Sequence, residues 1–369
     1  MALRTPARGR LSRLPGPLCR PHRGPEDAEV TDSKRVRTIR SIRALSRPGP
    51  WKRGRVLAGL ALLLGLLLLL HAHVTDRGGL GSLLDTFLPW FGLLVPVLLV
   101  GALWRRSASA VVAVLLPAVV WTGLFGGVLG DKAHAADSDL TVVSHNVGAG
   151  NRDPAGTAHA LAASGADVLA LEEITAQARG TYEKELAAAY PHHTVQGTVG
   201  LWSRLPLSDT GPVDLQQDVG PLGAAKSAAE KLPSNRALRA TVTTDRGPVA
   251  VYVAHLGSVR VMPRGGFWTD SRDRNAQALA DAIAAEDGER VVLLGDLNGS
   301  TDDRALAGLT SQLDSAQDEA GDGFGFSYPA DFPVVRIDQI LIRGVTADRS
   351  WVLPATGSDH RPVAAGISW

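Results

Sequence analysis

Six apolar runs after residue 139 each carry a side chain able to bind a cation or move a proton. Asn146 closes TVVSHN, Glu172 and Glu173 close VLALEE, and His255 closes VAVYVAH. Asp296 and Asn298 end VVLLGDLN, Asp338 lies in RIDQILI, and Asp359 and His360 open the last run, RPVAAGISW. Taken singly, each has an ordinary reading: Asp296 as a turn residue, His255 as a satisfied strand-end imidazole, Asp338 as a partner for Arg336 or Arg361. As a set they are expensive, because a buried polar group without a partner costs ~1–3 kcal/mol and a charge more. The cost falls away if the six runs bring these groups to one end of a sheet structure around something that neutralises them. A divalent cation carrying phosphate oxygens does this.

The elements that must position these groups are legible from residue 139 onward. DLTVVSHNV predicts a strand, PAGTAHALAASG a short helix ending at Gly165, ADVLALEEI a strand and TAQARGTYEKELAAAY a helix. HHTVQGTVGLWSRLPL predicts paired strands, and RALRATVTT and GPVAVYVAHLG two more joined at Asp245-Arg246-Gly247. SRDRNAQALADAIAAE is an amphipathic helix with Ser271 as its N-cap. RVVLLGDLN, RIDQILIRG and RPVAAGISW are the remaining strands. Tight turns between strands mean the sheets are not purely parallel, and the interspersed helices mean they are covered on the outside. The expected fold class is α/β: a four-layer α/β sandwich, two mixed β-sheets packed face to face and flanked by helices.

Ahead of that part lie three apolar runs, about 56–74, 87–104 and 108–129, each close to the roughly 20 residues that cross a bilayer. Three transmembrane helices over 56–130 are therefore expected. Pro89, Pro96 and Pro117 are compatible with this, since membrane helices tolerate proline, and Trp90, Trp104 and Trp121 lie near the run ends as interfacial aromatics do. Lys52, Arg53 and Arg55 precede the first run and Arg105-Arg106 follow the second, which places both on the cytoplasmic side. Three crossings then put 131–369 outside the cytoplasmic membrane. Ala133-His134-Ala135 resembles a small-x-small cleavage site, but three spans are excessive for a disposable leader.

The formal charge of the chain is +1, which hides an asymmetry. Residues 1–55 carry 15 Lys/Arg against 4 Asp/Glu, while 131–369 carry 20 against 31. The first segment, rich in Arg, Pro and Gly, reads as a disordered cytoplasmic tail touching anionic lipid. The single cysteine, Cys19, lies in it, so no intrachain disulfide holds the outer domain.

The order, residue types and spacing of SHN, LEE, SRLP, AHL, GDLN, RID and SDH resemble the endonuclease/exonuclease/phosphatase superfamily, the DNase-I-like phosphoesterases. The resemblance covers about 140–369, and the polytopic anchor is similar to that of actinobacterial membrane proteins linked to teicoplanin resistance. It implies metal-dependent phosphoester hydrolysis with Mg²⁺, or Mn²⁺ in its place. Glu173 then falls at the metal-binding glutamate, with Asp359 completing the metal network and Asn146 beside metal and phosphate. Glu172 departs from the glutamine usual at its position. Asp296 would position or deprotonate the attacking water, and Asn298 would orient the phosphate or that water. His255 would donate to the phosphoryl oxygens. His360, held by Asp338, would act as acid, base or charge stabiliser. Arg204 and Arg236 are weaker candidates for phosphate contact, with structural salt bridges as their alternative. Zn²⁺ is disfavoured by the lack of His-x-x-His or HExxH spacing, and His192-His193 point to opposite faces of a strand.

Three functions fit this pattern: a membrane-anchored hydrolase of a lipid-linked phosphate or pyrophosphate, a tethered extracellular nuclease, and a non-catalytic binding module of the same fold. The acidic outer domain lacks the basic footprint by which nucleases release counterions, and the full set of polar residues argues against a decayed site. The lipid bilayer and a lipid-linked phosphate are therefore the expected partners. The stretch Gly323-Phe324-Gly325-Phe326-Ser327-Tyr328 would touch a lipid tail or leaving group, or serve as a packed connecting loop.

Overall fold

The structure, a computed structural model, describes residues 49–134, 137–216, 234–262 and 266–369. The basic tail up to residue 48, with Cys19, lies outside the described residues, as does Ala135 of the cleavage-like motif.

The apolar runs form two six-stranded sheets. One comprises β1 (Leu140–Asn146), β2 (Val168–Glu172), β3 (His192–Gln196), β4 (Val199–Ser203), β13 (Thr346–Val352) and β14 (Val363–Ser368), in the order β13-β14-β1-β2-β4-β3. The other comprises β5 (Leu207–Pro212), β6 (Ala237–Thr244), β7 (Gly247–His255), β10 (Val291–Asp296), β11 (Asp314–Ser315) and β12 (Asp338–Arg343), in the order β11-β12-β10-β7-β6-β5. A separate hairpin joins β8 (Arg260–Met262) to β9 (Gly266–Trp268). In each large sheet one central pair is parallel, β1 with β2 and β7 with β10, and the other pairs are antiparallel.

Successive side chains of a strand face opposite sides, so the fully buried VVLLGD of β10 serves two cores. Val292 and Leu294 face the other sheet and meet Val142, Val168 and Leu201 there. Val291 and Leu293 face outward, under Ala276, Leu279 and Ile283 of the helix Asp270–Ala284. On the opposite flank Leu169, Leu171 and Trp202 lie under Leu161, Tyr182 and Leu186 of the helices Pro154–Ala162 and Ala176–Leu186. The layers run helix, sheet, sheet, helix, as the alternation of elements predicts.

Three local expectations change. The helix Asp270–Ala284 begins after Thr269, so Ser271 is its second residue and not its cap. Asp270 and Asp273 in its first turn suit the positive end of the helix dipole. The last strand begins at Val363, which leaves Asp359 and His360 in the turn before it. Strand β13, with Asp348 and Arg349 at its bulge, carries too mixed a pattern to be read as a strand; it is accommodated because it lies at a sheet edge.

Two helical stretches, Arg55–His73 and Ala108–Val128, are long and apolar enough to cross a membrane. The third expected run behaves differently. Residues Leu88–Leu93 form a 3₁₀ helix that passes into an α-helix over Leu94–Trp104, and together they meet Arg77–Thr86 at 64°. Pro96 has no N–H to give to the carbonyl of Gly92, and the first turn of an α-helix is where that loss costs least. The α-helix accordingly starts at Leu94. With the 3₁₀ turns included, Leu88–Trp104 extends about 29 Å at ~2.0 and ~1.5 Å per residue, so the bent pair makes a third crossing if it is taken as one span.

The sandwich docks on these helices through the loops after β10 and before β12. Arg304 donates to Asp85 at 2.8 and 3.2 Å and to the carbonyls of His71 (2.9 Å) and Val74. Arg272, fully buried, donates to Asp303 at 2.7 Å and to Ser82 at 3.0 Å, and Ser82 donates to Asp303 at 2.5 Å. The Trp90 indole donates to the Val334 carbonyl at 2.7 Å and stacks on Phe326 with centroids 5.6 Å apart.

Candidate active site

Strand pairing sets out the polar residues before any side-chain contact is considered. The parallel register of β1 and β2 puts Asn146 beside Glu172. In the second sheet, Asp296 at the end of β10 is flanked by His255 of β7 and by Asp338 of β12. Gly295 permits this: a Cβ there would stand 1.8 Å from the Ala254 carbonyl oxygen, and its φ is 153°. The two parallel pairs end at the same end of the sandwich, and Asn146 spans the gap by donating to Asp296 Oδ2 at 3.0 Å.

Asp296 is the hub. Its Oδ1 accepts the Asn298 N–H at 2.9 Å, and its Oδ2 lies 3.6 Å from His255 Nε2 and 3.8 Å from His360 Nε2. His360 Nδ1 faces both oxygens of Asp338 at 2.9 and 3.1 Å, and the Ser327 hydroxyl donates to Asp338 Oδ2 at 2.5 Å. The Tyr328 ring packs on the His360 ring at 4.7 Å. Ser358 completes the turn: its hydroxyl donates to the Asn146 carbonyl at 2.6 Å and accepts the His360 N–H at 3.1 Å. His360 is thus fixed by side chains and a turn, not by strand pairing.

Glu173 lies next to this row. Its Oε1 is 3.6 Å from His255 Nε2 and its Oε2 accepts the Ala149 N–H at 2.8 Å. Its φ is +59°, and that of Asn298 is +50°. Left-handed backbone is unusual away from glycine; among the described residues Arg106, Asp209 and Gln216 also adopt it, away from the polar strand ends. A cleft of about 470 Å³ opens beside Glu173 and His255, with Arg236 on its wall. Arg236 donates to the Leu256 carbonyl at 2.8 Å, the oxygen that also accepts from Asn298 Nδ2 at 3.2 Å. Arg204 is engaged elsewhere, 3.8 Å from Asp167 and over the Tyr190 ring. His193, next to the exposed end of its strand, stacks on Trp202.

Charge in this pocket is set by burial. Glu172, fully buried, is held well above the usual carboxylate range by desolvation and by the carboxylates of Asp338 and Asp296. Burial and then Asp338 raise Asp296, opposed by His360. Burial, Arg236 and His360 push His255 well below the ordinary imidazole value, so it is neutral. Burial also disfavours charge on His360, but Asp338 outweighs it and lifts the imidazolium to about 10.

Several groups here are placed where they could hold a cation or a phosphate. Asp296, Asp338 and His360 offer ligand atoms within 4.8 Å of one another. Glu172 Oε2 and His255 Nε2 are buried without hydrogen-bond partners. An oxygen-rich set with clustered carboxylates fits a hard divalent cation. The expected metal residues are placed as follows. Glu173 is half-buried on the cleft and Asp359 is exposed beside the turn at Gly148. Asn146 uses its Nδ2 on Asp296 and its Oδ1 on the Gly148 N–H. The sequence gives Ser327 and Tyr328 only a place in the aromatic loop and Ser358 no role, since Ser and Tyr are too common in loops to signal contacts to Asp338 and His360.

The model of the Endonuclease/Exonuclease/phosphatase family matches residues 143–360, more than half of the chain and every strand end described above. The chain belongs to this family, whose members are phosphoesterases and nucleases. No curated protein matches it in sequence. Among solved structures it is similar to an endonuclease/exonuclease/phosphatase from Beutenbergia cavernae, with 18% identity and a TM-score of 0.49, over 62% of this chain and 71% of that one. It is also similar to a mannosyl-6-phosphatase from Bacteroides thetaiotaomicron, with 16% identity and a TM-score of 0.47, over 62% and 100%. A third is D. rerio TDP2 in complex with a single-strand DNA product, with 19% identity and a TM-score of 0.49, over 62% and 99%.

Proposed function

We propose that the chain is a membrane-anchored, divalent-metal-dependent phosphoester hydrolase acting at the outer face of the cytoplasmic membrane on a lipid-linked phosphate or pyrophosphate. Two apolar helices, with the bent pair as a third crossing, would anchor it. The observation that carries the reading is where the apolar part meets the sandwich. Trp90 stacks on Phe326, two residues from the Tyr328 that packs on His360, and Arg272 joins Ser82 of the anchor to the Asn298 carbonyl at 3.0 Å. The polar strand ends therefore lie at the docked end, within reach of a headgroup.

In this reading Glu173 and Asp359, with Asn146 alongside, hold Mg²⁺ or Mn²⁺, which supplies charge neutralisation on the phosphoryl group. Asp296, raised by burial and aligned by Asn146 and Asn298, takes the proton of the attacking water. His360, charged through Asp338, donates from Nε2 to a phosphoryl or leaving oxygen. His255, neutral, offers its buried Nε2 to the phosphate.

The full chain in detergent, stripped with EDTA, is assayed on bis-p-nitrophenyl phosphate with and without Mg²⁺, next to Asp296→Ala. Polyprenyl pyrophosphate, single-stranded DNA and double-stranded DNA are offered in parallel. Turnover equal in both proteins supports a binding module instead, and degradation of nucleic acid alone makes it a nuclease.

A further inference from the structure

A second site lies between the anchor and the sandwich. A cavity of about 310 Å³ sits where Ala108–Val128 approaches the loops after β10 and before β12. Its lining divides by chemistry. Leu124, Phe125, Val128 and Phe324 make one wall, while Ser300, Arg336 and Lys132, whose Nζ already donates to the Asp318 carbonyl, stand as donors on the other.

Two of these donors are buried and unmet. Ser300 is 8% exposed, and its hydroxyl has no hydrogen-bond partner. Arg336 uses Nη2 on Thr301 Oγ1 and Asp318 Oδ1, both at 2.8 Å, while its Nη1 is buried without a partner. Two buried donors unmet in one place call for an acceptor, from water or from a ligand oxygen. Asp318 does not compete for them: its Oδ1 accepts from Arg336 Nη2 and its Oδ2 from Thr301. Asp302 also lines the cavity and adds one acceptor.

We propose that this cavity binds the headgroup of a glycerophospholipid. The phosphodiester accepts from Arg336 Nη1 and Ser300 Oγ, near the Lys132 charge, and the first acyl carbons lie along Leu124 and Val128. Asp302 accepts from a headgroup hydroxyl or ammonium, which favours phosphatidylglycerol or phosphatidylethanolamine over phosphatidylcholine. The wall that comes from Ala108–Val128 ends just before Lys132, the depth at which a membrane helix meets headgroups. Ser300 lies two residues from Asn298 and Arg336 two residues from Asp338, so an occupant would steady both loops that shape the site. The proposal rests on the membrane reading but not on catalysis.

The test is lipid retention. The full chain is purified in detergent, delipidated, mixed with phosphatidylglycerol, phosphatidylethanolamine or phosphatidylcholine, and analysed by native mass spectrometry. Bound phosphatidylglycerol or phosphatidylethanolamine is expected at one per chain, in the catalytically impaired Asp296→Ala as in wild type. Arg336→Met is expected to lower retention about tenfold. Gly127→Phe should do the same by filling the cavity, since a Cβ at Gly127 meets nothing within 4 Å. Unchanged retention in both variants, with thermal midpoints matching wild type, overturns the proposal. So does equal retention of phosphatidylcholine, or displacement of the lipid by glycerol phosphate at millimolar concentration, which would mark a soluble anion site. If Arg336→Met fails to fold, Gly127→Phe alone decides.

Discussion

His360 Nδ1 lies 2.9 Å from Asp338 Oδ2, and that one contact decides the charge of the residue that closes the chemical row. Burial alone would leave the imidazole neutral; the adjacent carboxylate makes it a cation up to about pH 10. The folded-state value is raised, so the pair stabilises the fold fully below the ordinary imidazole range and loses that contribution as pH rises through about 10.

Asp338→Asn removes the strongest support of the cation and leaves burial opposed only by Asp296 and Asp359. The alkaline limb of the rate profile on bis-p-nitrophenyl phosphate is expected to move to lower pH, with rates at pH 8 down about 10²-fold. A profile whose limbs stay in place would show that His360 does not need its proton. His360→Ala should cost about 10²–10⁴-fold at all pH values.

Asp296 is a case of function against stability. Its carboxyl is raised by burial and by Asp338, so ionisation above the unfolded value weakens the fold as pH rises. In metal-free buffer at pH 7 Asp296→Asn is expected to gain ~1 kcal/mol, a few degrees in Tm, while abolishing turnover. Calorimetry with EDTA present measures this; a loss of stability would mean that the charged form is satisfied in the native state.

Far from the site, Glu286 accepts from Arg239 at 3.0 and 3.1 Å and from Tyr252 at 2.8 Å. The Arg239 hydrogen bonds, against burial, hold it down to about 2. A depressed carboxylate contributes stability above its unfolded value and loses it as pH falls through its folded one. Glu286→Gln should therefore cost about 1–2 kcal/mol at pH 7 and nothing near pH 2. Urea midpoints across that range check it, and a pH-independent difference would point to packing instead.

Asp85 is 1% exposed and depends on Arg304 and His71. Arg304→Ala leaves that carboxylate under-paired and should destabilise the docked arrangement by about 3 kcal/mol. Asp85→Asn in the same chain should restore part of it. Limited proteolysis between the anchor and the sandwich reads both; equal cleavage of wild type and Arg304→Ala would mean that the aromatic contacts of Trp90 suffice.

Much of this was legible in one dimension, because strand periodicity and the polar residue that ends each strand are local properties. VVLLGDLN announces both a strand buried on two faces and an acid at its end. Ser271 was misread because a cap depends on where the chain enters the helix. The 64° bend between Arg77–Thr86 and Leu88–Trp104 is not legible in the apolar run over 87–104, because hydropathy carries no information on chain direction. Ser327 and Ser358 stayed hidden because a hydroxyl becomes part of a site only by what it touches.

By itself the sequence determined the two-sheet sandwich, the apolar helices ahead of it and the identity of the polar row, since burial cost acts on residue types and their spacing. Tertiary structure alone decided which oxygen faces which nitrogen: Asp296 between His255 and His360, Asn146 across the two sheets, Glu173 in a left-handed backbone. It also decided that the apolar helices meet the sandwich beside the polar strand ends. Those facts depend on the register and on loops brought together over two hundred residues, and no local preference encodes a distance between side chains so far apart along the chain.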